Sequence, residues 1–149
     1  MQLIEKVIEK NPHFLFIQFD NVDGAGHHFW YGTEGHIKQI EKTDDYVRRI
    51  AEAYKKAGIF DDTLFICLAD HGGIRGGHGG YTKEERFIYF AVTGKGIEKS
   101  QMGFAQTKDV AALVLYAFGI DIPQFEKTGF SSQIPDNIFT EKVNDYIAP

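Results

Sequence analysis

The chain has 149 residues, 16 Lys and Arg against 21 Asp and Glu for a net charge of -5, and 43% hydrophobic residues. That length fits a single domain over residues 1–149 with its own core, and the acidic balance excludes the basic footprint of a nucleic-acid surface. No apolar run approaches the roughly 20 residues of a membrane-spanning helix, and the charged start M-Q-L-I-E-K-V-I-E-K excludes a signal peptide.

Leu3, Ile4, Val7 and Ile8 recur at helical spacing, and Pro12 closes the segment, so a short amphipathic helix opens the chain. His13 to Phe19 (H-F-L-F-I-Q-F) then reads as a strand buried on both faces. It leads into an acidic, glycine-rich stretch, Asp20 to His28, in which Asp23 and His27 stand four apart. Gly24 and Gly26 argue against a helix there, so a tight turn is expected to bring the two side chains together. The aromatic run Phe29, Trp30, Tyr31 is of a kind that walls a substrate pocket or covers the core, and core cover is the preferred reading.

From Glu34 to Ala57 the pattern is helical, with Ile37, Ile40, Val47, Ala51 and Tyr54 as its apolar stripe and Gly58 as its stop. His36 reads as a surface residue. Thr63 to Ala69 (T-L-F-I-C-L-A) is a second apolar strand, and its Cys67, the chain's single cysteine, has no internal disulfide partner.

Asp70 to Gly80 (D-H-G-G-I-R-G-G-H-G-G) follows at once, with two imidazoles, His71 and His78, separated by glycines that let the backbone curl tightly. Carboxylate and neutral imidazole together suit zinc and similar dications. Tyr81 to Arg86 reads as solvent-facing, and Phe87 to Thr93 as a third strand. Thr107 is placed as the cap of a helix over Lys108 to Phe118, and a last turn is expected at Glu141 to Ile147.

Strand, helix and strand in this order form a right-handed crossover if the strands lie parallel in one sheet. Both loops then open on the same sheet edge, and Asp23, His27, Asp70, His71 and His78 meet there. The expected architecture is α/β, a mostly parallel sheet flanked by helices.

At D-G-A-G-H (Asp23 to His27), D-H-G-G (Asp70 to Gly73) and G-H-G-G (Gly77 to Gly80), the sequence resembles the alkaline phosphatase superfamily. The likeness is greatest to its type I phosphodiesterase/nucleotide pyrophosphatase branch. It implies the C-terminal part of a three-layer fold and two divalent metal ions, zinc or alternatively manganese. The resemblance assigns Asp23, His27 and His78 to one ion, and Asp70 with His71 to the other. It places a further aspartate and the hydroxyl nucleophile in an N-terminal half for which the few residues before the first strand leave no room. No residue here is therefore assigned as the nucleophile.

The implied function is the metal-binding part of a two-metal phosphoric ester hydrolase acting on a small phosphate ester, with Arg75 near a phosphate oxygen. The partners implied are the N-terminal half of the same protein and a second copy through uncovered apolar surface, with no nucleic acid and no membrane. Two alternatives stand beside it: part of a metal-dependent phosphomutase, favoured by the short gap between His71 and His78, and a non-catalytic module of the same fold.

Overall fold

A computed structural model describes residues 2–94, 96–97, 103–120, 132–135 and 138–139. Its elements are α1 (Gln2–Ile8), α2 (Asn21–Phe29), α3 (Glu34–Lys56), β1 (Phe65–Leu68), α4 (Lys83–Arg86), β2 (Phe90–Thr93) and α5 (Asp109–Ala117). They fall into two compact units, Met1–Asp61 with His71–Ile88, and Asp62–Asp70 with Tyr89–Pro149. No helix among the described residues is long and apolar enough to cross a membrane.

The first unit is helical. α1 and α2 both pack on α3, and Ile8, Ala25, Ile50 and Tyr54 are its buried apolar side chains. The buried face of α3 is rotated from the expected stripe. Ile37 and Ile40 are exposed, while His36, Ile50 and Tyr54 are buried and Gln39, Thr43, Tyr46 and Val47 are half-buried between them. Polar residues thus occupy the first turns of the inward face, where hydropathy alone points the helix the wrong way.

Gly58 stops α3 as expected: at φ 74 it lets its own N–H reach the Lys55 carbonyl at 3.0 Å and the Ile59 N–H reach that of Tyr54 at 3.2 Å. These are the two bonds of a Schellman motif.

The expected strand Phe14 to Phe19 is not formed. Residues 12–19 connect α1 to α2 without regular structure and with no ladder among the described residues, and Phe14 and Phe16 stand 57% and 74% exposed. A strand exists only by hydrogen bonding to a neighbour, and its apolar composition does not supply one.

The second unit holds a two-stranded antiparallel sheet in place of the expected mostly parallel one. β1 pairs with β2 from Phe65↔Thr93 to Leu68↔Phe90. Both strands lie within the expected segments. β1 is half-buried throughout and β2 alternates, so neither is covered on both faces. Gly94 follows β2 at φ 139, where a Cβ would overlap the Thr63 carbonyl oxygen.

Ala112 and Leu113 of α5 are buried with Ile138. Thr107 does not cap α5. The buried Asp109 carboxylate instead accepts the Gln106 N–H at 2.8 Å and the Gln133 N–H at 3.1 Å, and Ser132 Oγ donates to the Lys108 carbonyl at 2.6 Å. The expected turn at Glu141 to Ile147 lies outside the described residues.

Candidate metal centre

The site is assembled in the first unit from α2, the turn after it, and the loop 71–80. Asp23 and His27 lie on α2, where a four-residue spacing puts both on one helix face. The expected tight turn is therefore replaced by helix. Each interior glycine costs about 1 kcal/mol of helix propensity, and at Gly26 that cost makes room for a ring: a Cβ there would lie 2.5 Å from the Tyr31 side chain. His27 Nε2 stands 3.4 Å from Asp23 Oδ2.

Past α2 the chain reverses sharply. Trp30 adopts φ 75 and ψ 137, a conformation non-glycine residues rarely accept, and the Thr33 hydroxyl lies 2.8 Å from the carbonyls of both Phe29 and Trp30. Phe29 and Trp30 are more than half exposed, so they do not cover the core. Tyr31 turns back beneath α2 and donates its hydroxyl hydrogen to Asp23 Oδ1. His36, expected at the surface, is buried and accepts the Gly32 N–H on Nδ1 at 3.1 Å.

His71 and His78 bracket a turn in which Ile74 and Gly77 exchange backbone hydrogen bonds of 3.0 and 3.2 Å around Arg75 at φ 53. The Arg75 side chain is exposed, and its carbonyl accepts the Tyr31 N–H at 2.6 Å.

α4 ties both ends of this loop. The Glu85 carbonyl accepts the Gly72 N–H at 2.9 Å, and the Glu85 carboxylate accepts the Gly80 N–H at 2.8 Å and the Thr82 hydroxyl at 2.7 Å. These hydrogen bonds hold the Glu85 carboxyl below the usual carboxylate range, the one from Thr82 Oγ1 first. The expectation of a merely solvent-facing segment missed Glu85. Its signal was the T-K-E-E capping-box spacing at Thr82 to Glu85.

Within this unit the structure brings together four of the five expected ligands. Asp23 Oδ1 lies 3.5 Å from His78 Nε2 and 3.9 Å from His71 Nε2. Asp23, His71 and His78 form a set whose ligand atoms all fall within 4.8 Å of one another. The rings of His71 and His78 stack at 3.7 Å, and that of His27 lies 5.1 Å from His78. Asp70, the fifth, is an exposed residue of the second unit, two positions past β1.

The donor chemistry fits a cation. His27 Nδ1 lies 2.8 Å from the Gly76 carbonyl, and His71 Nδ1 lies 2.9 Å from the Gly72 carbonyl. A carbonyl oxygen only accepts, so each Nδ1 carries the proton and, in the neutral ring, each Nε2 turns a lone pair toward the Asp23 carboxylate. Lone pairs and a carboxylate at such separations repel unless positive charge lies among them. Two ligands each about 2.0–2.1 Å from one zinc are at most about 4 Å apart, which the Asp23 pairings satisfy. Asp23 itself titrates below the usual carboxylate range, chiefly because of the Tyr31 hydrogen bond. Burial pushes it the other way, and His27, His78 and His71 add to the lowering.

The chain that sets Asp23 and His27 one helical turn apart and brings His71 and His78 to them is a member of the alkaline phosphatase superfamily. The profile of the type I phosphodiesterase / nucleotide pyrophosphatase family matches residues 1–81, and the chain belongs to that family. Among curated proteins it is similar to the 2,3-bisphosphoglycerate-independent phosphoglycerate mutases of Campylobacter jejuni subsp. doylei and of two Campylobacter jejuni subsp. jejuni strains. Each is 28% identical over 128 residues, 81% of this chain. The chain spans only 24% of the length of each of those relatives. No solved structure matches it.

Proposed function

We propose that this chain is the metal-binding part of a two-metal phosphoric ester hydrolase. The observation that carries the reading is the meeting of three imidazoles on one carboxylate, with Asp23 3.4 to 3.9 Å from His27, His78 and His71. Asp23, His27 and His78 are assigned to one divalent ion, and His71 with Asp70 to a second, zinc in both or alternatively manganese. Two divalent ions held side by side would account for His27, His71 and His78 all crowding the one Asp23 carboxylate.

Such ions, when bound, would supply Lewis acidity toward a phosphoryl oxygen and toward an attacking hydroxyl. The residues of this chain hold and orient. Gly76 and Gly72 fix the tautomers of His27 and His71, and α4 sets the ends of the loop that carries His71 and His78. Arg75, on the exposed tip of that loop, is assigned a phosphate oxygen.

The substrate is read as a small phosphate ester. The nucleophile and remaining ligands are assigned to further chain of a longer protein, as the 24% coverage of its relatives suggests. Residues 14–19 then become a strand awaiting neighbours in a larger parallel sheet, and self-association through Phe14 and Phe16 is the expected behaviour without them.

A second reading, part of a phosphomutase, is favoured by the mutase relatives, since a mutase returns the phosphoryl group to substrate where a hydrolase gives it to water. A non-catalytic module of the same fold would bind metal without any partner chemistry.

Titration calorimetry with Zn2+ and Mn2+ tests the reading. The chain is expected to bind about one zinc per molecule, to lose most of that affinity in His78→Ala, and to lose less in His71→Ala. Absence of binding overturns the metal site, and equal losses overturn the partition. Robust hydrolysis of a nitrophenyl phosphate mono- or diester by these 149 residues would overturn the assignment of the nucleophile elsewhere.

A further inference from the structure

Resting on the metal-centre reading, we propose that Tyr31 is a positioning residue: it holds the Asp23 carboxylate in the rotation that presents both oxygens to the imidazoles. Asp23 has two oxygens with different duties. Oδ2 faces His27, while Oδ1 faces His71 and His78 and also receives the Tyr31 hydroxyl. A carboxylate about half exposed is free to turn about its Cβ–Cγ bond, exchanging the oxygens. One strong donor fixed in space stops that rotation, and a phenol donates without competing for the cation.

Tyr31 is fixed from several directions, and each is a feature the chain need not otherwise have. Its ring occupies the space of two missing side chains, since a Cβ at either Gly26 or Gly73 would lie 2.5 Å from ring carbons. One of those glycines interrupts a helix, and the other belongs to the ligand loop. The Tyr31 N–H is tied to the Arg75 carbonyl at 2.6 Å, and the buried His36 ring lies 5.0 Å away at 59°. The rare backbone conformation of Trp30 directs the chain back toward α2 just before it. A tyrosine that merely covered surface would require none of these. The same contacts connect α2 to the loop 71–80 through one side chain, so the two sources of ligands are set in register by Tyr31.

The test uses the whole chain and three variants, with Zn2+ affinity from calorimetry, visible absorption of the Co2+ complex, and melting of the metal-free protein. Tyr31→Phe keeps the ring between its glycines and removes only the donor. It is expected to melt close to the parent, lose about tenfold or more in zinc affinity, as removal of an outer-shell partner typically does, and change the intensity of the Co2+ bands. Gly73→Ala keeps the hydroxyl but displaces the ring, and a comparable loss is expected. In an Asp23→Asn background Tyr31→Phe should cost nothing further.

Unchanged zinc affinity and Co2+ bands in Tyr31→Phe, full affinity in Gly73→Ala, or full additivity with Asp23→Asn would each overturn the role of Tyr31 and leave the metal centre standing. Failure of the parent chain to bind zinc or cobalt would instead overturn the reading beneath it.

Discussion

Alanine substitution at two glycines of one helix separates helix propensity from packing. Gly24 and Gly26 both lie inside α2, where replacing glycine by alanine ordinarily stabilises by about 1 kcal/mol. At Gly24 nothing lies within 4 Å of the added Cβ, so the full gain is expected there. At Gly26 the Cβ would meet three ring carbons of Tyr31 at 2.5, 2.6 and 2.8 Å, and that ring is held at Gly73 and by Asp23. Forcing a methyl into such a place costs about 1–3 kcal/mol. The two terms leave Gly26→Ala between neutral and about 2 kcal/mol destabilised, and the gap between the variants equals the packing cost of about 1–3 kcal/mol. At roughly 2–4 °C per kcal/mol for a chain of this size, that gap is about 2–12 °C in melting temperature. Trp30, the only tryptophan, follows α2 directly, so its fluorescence during urea unfolding reports on the unit concerned. Equal stabilisation by both substitutions would refute the seating of Tyr31 against Gly26.

Gly58→Ala is expected to destabilise the first unit by about 1 kcal/mol, because a left-handed φ of 74 disfavours any Cβ; urea unfolding followed by Trp30 fluorescence measures it. Ser132→Ala is expected to cost about 0.5–1.5 kcal/mol by removing the hydroxyl's hydrogen bonds to the Lys108 carbonyl and the Ala112 N–H, read from denaturant unfolding by circular dichroism. Glu85 titrates lower folded than unfolded, so its contribution is complete above the unfolded value of about 4.3 and is lost as pH falls through the lower folded value. In Glu85→Gln that part of the acid-side loss should vanish from melting curves taken below about pH 4.5; an unaltered acid limb would count against it.

What could be read from the sequence followed from local chemistry. α3 and its glycine stop are visible because periodicity and a left-handed C-terminal residue are local signals, and β1 and β2 lie within their predicted apolar runs. Pairing is not local. Apolar content said that 14–19 could be a strand, but not whether a neighbour would bond to it; the parallel pairing expected of 14–19 with 64–69 is not formed among the described residues, and β1 pairs antiparallel with the third apolar run instead. In the site, Asp23, His27, His71 and His78 stood out by residue type, and the structure brings these four side chains together. The residues that shape the site were hidden. Gly26 was read as a helix breaker because its reason, a ring from five residues on, is a tertiary contact. Tyr31 and His36 were hidden in the same way, as an aromatic in an apolar run and a histidine on a polar helix.

The irregular passage between α1 and α2 also has a practical side. Proteases of the chymotrypsin type bind substrate as an open strand, pairing with its free amides while an aromatic side chain enters their pocket. Residues 12–19 belong to no helix or ladder among the described residues, and Phe14 and Phe16 are turned to solvent, so the segment needs no element unfolded before it takes that form. A brief digestion would therefore nick the chain at these phenylalanines before reaching the aromatics held in α3. The cut would detach α1, and with it Ile8, from the face of α3 that it covers.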